Sequence, residues 1–174
     1  MNGFTQGCEN KPQPCWYGIV PNKTKFEDAA LILRDLGFSF VANYRGGALR
    51  DANDFRHTID TNCIVTLYTR TQDNNVATIG ITNCFDTRLG DWFLYRPKDL
   101  LYITSINGNN LALETKGSKI WFITTSGTDL FGKIKTLFIN PAVSGEEPIS
   151  ISWQGVKLFW KYCQIQLDMG VCER

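Results

Sequence analysis

The stretch CENKPQPCWYGIVPNKTKFEDAALILRDLG, residues 8–37, decides the fold expected for this chain. Its first part is a proline-containing loop between two cysteines, Cys8 and Cys15. Its second part carries apolar residues at the three-and-four spacing of one buried helix face, namely Phe26, Ala29, Ala30, Leu33 and Leu36. We therefore expect a disulfide-closed loop followed by an amphipathic helix that packs on the rest of the chain.

Capping signals mark both ends of this helix. Thr24 and Glu27 have the spacing of a capping box, in which a hydroxyl and a carboxylate each bind a backbone amide of the first turn. Gly37 stands where a left-handed C-terminal cap is typical. The sequence therefore predicts a helix from about Lys25 to Leu36.

The remainder of the chain has the character of an antiparallel sheet. The segment 45–58 is polar and contains two glycines, so it is predicted to be a loop, and 86–96 is predicted to be a second short helix, with a strand as the alternative. Runs typical of strands occupy residues 38–44, 63–70, 76–84, 100–106, 111–115, 119–125, 133–139 and 149–153.

These elements predict an α+β fold, an antiparallel sheet meander with one or two short helices packed on one face. At 174 residues the chain is expected to form a single domain, 1–174. The order of elements also suggests a degenerate tandem repeat, with halves 8–85 and 86–174.

Six cysteines indicate a disulfide framework. Their number is even, none has the C-x-x-C spacing, and the chain has one His, so three disulfides are favoured over a metal site. A tight turn at Asp73-Asn74 would pair residues whose numbers sum to 147. The numbers of Cys63 and Cys84 have this sum. Proximity in sequence and this register favour, among fifteen pairings, Cys8–Cys15, Cys63–Cys84 and Cys163–Cys172. Disulfides imply an oxidising, extracytoplasmic compartment.

Charge and hydropathy narrow the choice of partner. The formal net charge is +1 without a basic run, so a nucleic-acid partner is not expected. The opening MNGFTQG lacks the charged and apolar regions of an export signal, which we interpret as a mature or truncated form whose export segment is missing. No segment approaches the roughly 20 apolar residues that a membrane-spanning helix needs.

The residues that carry catalysis are sparse. His57 is the sole His and lies near Asp51, Asp54 and Asp60. It could act as a base oriented by a carboxylate, but a solvated loop is the favoured interpretation. The same carboxylates could bind Ca²⁺, although their spacing matches no EF-hand loop. We therefore predict no catalytic residue, no metal ligand and no cofactor.

Aromatic residues are the richest chemical feature, with 5 Trp, 6 Tyr and 11 Phe. Most are expected to be buried, whereas a few exposed together would form a binding surface. Trp153 and Trp160 are the binding candidates because their surroundings are polar or basic.

Three segments carry a family resemblance. The segments PCWYGIVPNKTKFEDAALIL (14–33), TRLGDWFLYRPKDL (87–100) and SWQGVKLFWKY (152–162) resemble the motifs of uncharacterised bacterial surface lipoproteins of the PCWxGIxP type, as in Chloroflexi-like bacteria. Asn22 departs from the glycine usual in that pattern, and the segment 95–97 is shortened. More distantly, the order of elements is similar to small outer-membrane-assembly lipoproteins and to β-lactamase-inhibitor-like repeats, in which helices pack on one face of an antiparallel sheet. The resemblance implies a tether through a lipidated cysteine, upstream or at Cys8.

Two functions follow as hypotheses. The first is a non-enzymatic surface or envelope protein that binds a protein or cell-envelope partner. The second is a carbohydrate- or cell-wall-binding module that uses exposed aromatic rings. A hydrolase has the least support.

Overall fold

In the computed structural model of this protein, residues 4, 6–45, 50–84, 101–107, 110–115, 120–125, 133–140 and 151–152 are described. Within these residues the chain forms one helix, α1 (Phe26–Asp35), and nine antiparallel strands. The strands are β1 (Phe38–Arg45), β2 (Arg50–His57), β3 (Ile64–Arg70), β4 (Val76–Thr82), β5 (Leu101–Asn107), β6 (Asn110–Thr115), β7 (Ile120–Thr125), β8 (Lys133–Ile139) and β9 (Ile151–Ser152). The expected α+β class is confirmed.

The strands form a single sheet in the order β1-β2-β3-β4-β8-β7-β6-β5-β9. It consists of two four-stranded meanders, β1–β4 and β5–β8, whose last strands pair with each other, and of β9, which pairs with β5 at the edge of the sheet. We call this pairing of β4 with β8 the seam, and it runs from Ile79↔Ile139 to Thr82↔Thr136. The prediction of a meander is therefore correct within each half of the sheet, while the two halves meet through strands that are far apart in sequence.

Both meanders have the same internal order, in which consecutive strands are neighbours. The helix predicted at 86–96 lies outside the described residues, and so does the boundary between the predicted halves 8–85 and 86–174. The division into halves therefore stays a prediction.

Helix α1 begins one residue later than expected and lacks the expected capping box. Lys25 is its N-cap residue, and no side chain caps this end. The Thr24 hydroxyl instead accepts the N–H of Val20 at 2.8 Å, and Glu27 Oε1 accepts the side-chain amide of Asn74 at 2.7 Å. The capping-box prediction is wrong because Thr24 binds the segment before the helix and Glu27 binds the turn between β3 and β4, and neither binds the first turn of the helix.

The C-terminal end of α1 agrees with the prediction. Gly37 has φ +86°, a left-handed conformation that favours glycine, and its N–H donates to the carbonyl of Arg34 at 2.9 Å. The Gly37 carbonyl accepts the N–H of Thr58, just beyond β2. The cap therefore also fixes the turn into β1.

The hydrophobic core lies between α1 and one face of the sheet. Leu33 and Ala29 of the helix are fully buried, and burying a leucine side chain contributes about 2 kcal/mol to stability. The sheet contributes Phe55, Val65, Leu67, Ile79, Ile81, Ile120, Leu137 and Ile139. Trp16 is buried in the same core, as expected for most tryptophans.

The segment 45–58 was predicted to be a loop, and this is wrong because it contains strand β2. Although its sequence RDANDFRH is polar, the strand pairs with β1 on one side and β3 on the other. Its buried Asn53 is satisfied by the amide of Asn43 at 2.6 Å and by the carbonyl of Leu67 at 3.4 Å. Pairing on both sides and a satisfied amide let a sequence of low strand propensity occupy an interior strand.

The β3–β4 hairpin has a register that differs by one from the predicted register. The pairs Ile64↔Thr82 and Tyr68↔Thr78 sum to 146, not 147, and a bulge precedes Thr69↔Val76. The turn is wider than two residues, since Arg70 and Asn75 close a loop of residues 71–74. A shift of one residue reverses the face on which every side chain lies, so this correction decides the composition of both faces.

Two of the three predicted disulfides are present. Cys8–Cys15 and Cys63–Cys84 have Cα–Cα distances of 5.9 and 4.4 Å. The third predicted pair, Cys163–Cys172, lies outside the described residues. Two disulfides are typical of proteins from oxidising compartments.

Candidate functional site

The register of the sheet divides its side chains between two faces. Pairing runs Ala42↔Asp54, Asp54↔Thr66, Thr66↔Gly80 and Gly80↔Phe138, which puts these residues in one row on the face opposite α1. Tyr44 and Tyr68 share this face, two residues along their strands. We call this set the open face: Tyr44, Asp54, Thr66, Tyr68, Gly80 and Phe138.

A carboxylate on the open face is held by two hydroxyl groups. Tyr44 Oη donates to Asp54 Oδ2 at 2.6 Å, and Thr66 Oγ1 donates to Asp54 Oδ1 at 2.6 Å. The three residues come from β1, β2 and β3. Each oxygen of Asp54 thus has one protein donor, and the side chain has a defined orientation.

This arrangement changes the acidity of both neighbouring tyrosines. The hydrogen bond to Asp54 raises the pKa of Tyr44 to about 12, and burial and the negative charge of Asp54 add to the effect. Burial raises the pKa of Tyr68, and the charge of Asp54 contributes as well. Both phenols therefore stay protonated and neutral at physiological pH, and the Tyr44 hydroxyl remains a donor.

Two rings cover a glycine in the middle of the open face. A Cβ at Gly80 would lie 3.3 Å from Phe138 Cε1 and 3.5 Å from Tyr68 Cε2. The absence of a side chain at Gly80 therefore lets both rings lie close against the sheet. Because Phe138 belongs to β8, this contact crosses the seam between the two meanders.

The open face is partly accessible to solvent. Tyr44 is 47% exposed, and Asp54, Thr66, Tyr68 and Phe138 are partly exposed. The face therefore combines aromatic rings with one oriented carboxylate.

His57 has a structural role at the end of β2. Its Nδ1 accepts the N–H of Asp60 at 3.1 Å, and its ring packs edge-to-face on Phe38 with centroids 5.0 Å apart. Its ring also lies against the Gly37 cap. The nitrogen that a carboxylate would orient is therefore used to shape a turn.

The three carboxylates near His57 in sequence are not brought together. Asp54 lies on the open face, whereas Asp51 is on the opposite face of the same strand, and Asp60 binds the N–H of Asn62 in the following turn. Within the described part of the chain, no group of three or more His, Cys, Asp or Glu residues could hold a metal ion.

The predicted binding residues Trp153 and Trp160 lie outside the described residues. Tyr44, Thr66, Tyr68 and Phe138 were not among the residues predicted from the sequence. The signal that could have identified these residues is the alternation of side chains between the two faces of β1, β3 and β8. Using it requires the correct register and the recognition of β2 as a strand.

The surroundings of Cys8 bear on the expected lipid tether. Its sulfur is bonded to Cys15 and accepts the N–H of Gly18 at 3.3 Å. A sulfur in a disulfide cannot also carry a lipid. Among the residues described, no helix has both the length and the apolar character needed to cross a bilayer.

Comparisons of this chain with protein-family models, curated proteins and solved structures find no match.

Proposed function

We propose that this chain is a non-enzymatic, extracytoplasmic surface or envelope protein that binds a partner protein through the open face. The observation that carries this proposal is the row of side chains opposite α1, where the hydroxyl of Tyr44 orients the carboxylate of Asp54 and the rings of Tyr68 and Phe138 lie on Gly80 of the same face. Tyrosine contributes large contact area at low entropic cost and is enriched among residues that dominate interface energies. The near-zero net charge fits contact by shape and rings rather than electrostatic capture of a polyanion.

The disulfides support the proposed compartment, since two of them close loops in the described chain. The non-enzymatic part is supported by the use of His57 Nδ1 in a turn and by the two disulfides, which leave four cysteines without a free thiol. A lipid tether, in this proposal, is attached elsewhere than at Cys8.

Site-specific photo-crosslinking tests the proposal. A benzophenone side chain replaces Tyr44 on the open face or, as the matched control, Leu31 on the outer side of α1, since the two residues are 47% and 48% exposed. In an envelope extract, position 44 should capture one protein that position 31 does not. With that protein purified, Tyr44→Ala and Phe138→Ala should each weaken binding at least about tenfold, the loss typical of a central interface residue. Equal capture at both positions would contradict the proposal.

A carbohydrate ligand is the alternative, favoured by the half-exposed ring of Tyr44 beside the Asp54 carboxylate. A ring that stacks on a sugar next to a hydrogen-bond acceptor is the chemistry such a module needs. A glycan array decides between the two: binding that Tyr44→Ala removes would favour the carbohydrate module.

A further inference from the structure

The two oxygens of Asp54 leave room for a second pair of donors. Each oxygen accepts one hydroxyl proton from the protein, from Tyr44 at Oδ2 and from Thr66 at Oδ1. A carboxylate has about four acceptor positions, two on each oxygen. Counting donors from the described residues, one position on each oxygen therefore remains, the number that two N–H groups would fill.

The charge of Asp54 is also not neutralised by the described chain. The ion pairs among the described residues are Arg34–Asp35 and Arg70–Asp73, and neither involves Asp54. Arg56 follows two residues along β2 on the same face, but it is exposed and forms no ion pair with Asp54. Both hydroxyl donors are uncharged, so among the described residues the oriented carboxylate of Asp54 has no cationic partner.

Two tyrosines lie on the strands on either side of β2, in the row of Ala52, two residues along β2 from Asp54. Tyr44 of β1 reaches Asp54 directly, and Tyr68 of β3 is two residues from Thr66, the register partner of Asp54. Both phenols are neutral at physiological pH, since their pKa values lie above the ordinary 10.0, and the face of a neutral aromatic ring attracts a cation. A planar cation that places two N–H groups on the carboxylate would pack against such rings.

We propose that Asp54, flanked by Tyr44 and Tyr68, binds an arginine side chain of the partner protein. A guanidinium presents two parallel N–H donors to a carboxylate and stacks on aromatic faces, whereas an ammonium acts as a point charge. This inference rests on the proposed function, because it names the chemistry that a partner presents to the open face.

The test is a titration of the isotope-labelled protein followed by amide NMR. The probes are N-acetyl-arginine amide, its neutral isostere N-acetyl-citrulline amide, and N-acetyl-lysine amide. The arginine probe should give saturable shifts at residues 52–56 and 66–68, and citrulline should give none. Lysine should bind more weakly. Citrulline shifts equal to those of arginine, or equal affinity for lysine, would overturn the assignment.

Two substitutions on β2 distinguish binding at Asp54 from a general effect of removing a negative charge. Asp54→Asn should weaken arginine binding at least about tenfold, because hydrogen bonds between two charged groups are stronger than those to a neutral amide. Asp51→Asn removes the same charge from the opposite face of β2 and should leave the affinity unchanged. If Asp54→Asn does not give the amide spectrum of a folded protein, Tyr44→Ala, at a half-exposed position, should weaken binding several-fold. Equal effects of Asp51→Asn and Asp54→Asn would exclude the site.

The arginine titration and the photo-crosslinking experiment can fail independently of each other. Partner capture at position 44 without arginine binding would refute this inference alone. Arginine binding at Asp54 without capture would refute the protein partner alone.

Discussion

The hydroxyl of Tyr44 donates to the Asp54 carboxylate, and this hydrogen bond raises the pKa of the phenol. Its pKa is raised from 10.0 to about 12, so the folded state holds the proton more tightly than the unfolded chain does. The resulting stability is fully present below about pH 10 and is lost as the pH rises through about 12. A ¹³Cζ NMR titration should therefore show Tyr44 ionising near pH 12.

Asp54→Asn is the control for this titration. Without the carboxylate, the Tyr44 midpoint should fall toward 10, whereas Asp51→Asn on the other face should leave it unchanged. A wild-type midpoint near 10 would mean that the Tyr44–Asp54 hydrogen bond is not formed in solution.

Gly80 is the residue that lets Phe138 and Tyr68 lie close to the sheet. A branched side chain at this position would overlap both rings, because a single Cβ already comes within 3.3 Å of Phe138. Gly80→Val should destabilise the protein by about 1–3 kcal/mol in urea unfolding, the usual cost of overpacking. Gly80→Ala should cost less, since the alanine methyl displaces Phe138 only slightly and alanine favours a strand more than glycine does. A valine variant as stable as the wild type would show that the rings do not pack on this position.

At the scale of secondary structure, α1 depends on its buried face. Leu33 is fully buried, so Leu33→Ala should lower the free energy of unfolding by about 2–5 kcal/mol through the cavity it leaves. Leu31, 48% exposed on the same helix, is the matched control, and Leu31→Ala should change stability by less than about 0.5 kcal/mol. Equal denaturant midpoints for the two variants would show that α1 does not pack on the sheet.

The N-terminal end of α1 is open to improvement. Lys25 occupies the N-cap position without a capping side chain, where Asp would accept an N–H of the first turn and complement the helix dipole. Lys25→Asp should therefore stabilise the protein by about 0.5–1 kcal/mol in thermal unfolding. A destabilising Lys25→Asp would contradict the N-cap assignment.

A substitution at Thr24 tests the finding that its hydroxyl accepts the N–H of Val20 instead of capping α1. Thr24→Ala should cost about 1 kcal/mol because the N–H of Val20 loses its acceptor, and Thr24→Ser should restore most of the loss.

Elements were predicted correctly where local signals such as periodicity and turn residues agree. They were predicted poorly where contacts with other segments decide the structure. The buried face of α1, its Gly37 cap and strand β8 were predicted from periodicity and turn residues alone. Strand β2 could not be, because the amide of Asn53 is tolerated only through Asn43 and the Leu67 carbonyl, which belong to other strands. The capping box failed for the same reason, since Thr24 and Glu27 bind partners outside the helix.

At the scale of the whole molecule, the α+β class followed from composition and pattern, but the strand order did not. No local signal in β4 or β8 distinguishes a seam between meanders from a simple continuation of the sheet. The open face was equally inaccessible, because a register error of one residue in β3–β4 assigns its side chains to the wrong face.

The disulfides stabilise the whole molecule to different degrees. Cys63–Cys84 links positions 21 apart and Cys8–Cys15 links positions 7 apart. In the chain-entropy description, replacing the first pair by serine should cost about 3 kcal/mol and the second somewhat less. Denaturant unfolding of the two double-serine variants measures both. A larger loss from the shorter loop would argue against the entropic account.

Peptide mapping without reductant checks the pairing itself. It should recover Cys8–Cys15 and Cys63–Cys84, and it tests the prediction of Cys163–Cys172. Free thiols at the first four positions would contradict the described disulfides and remove the support for an oxidising compartment.

The seam between β4 and β8 affects the rates of folding and unfolding differently. Within each meander, neighbouring strands are close in sequence, so their pairing closes short loops, whereas β4 and β8 meet only after a long loop is closed. Yet Ile79, Ile81, Leu137 and Ile139 at the seam are among the most deeply buried residues of the core. We therefore expect the late-forming contacts to be the ones that hold the native state, so that substitutions at the seam accelerate unfolding far more than they slow folding.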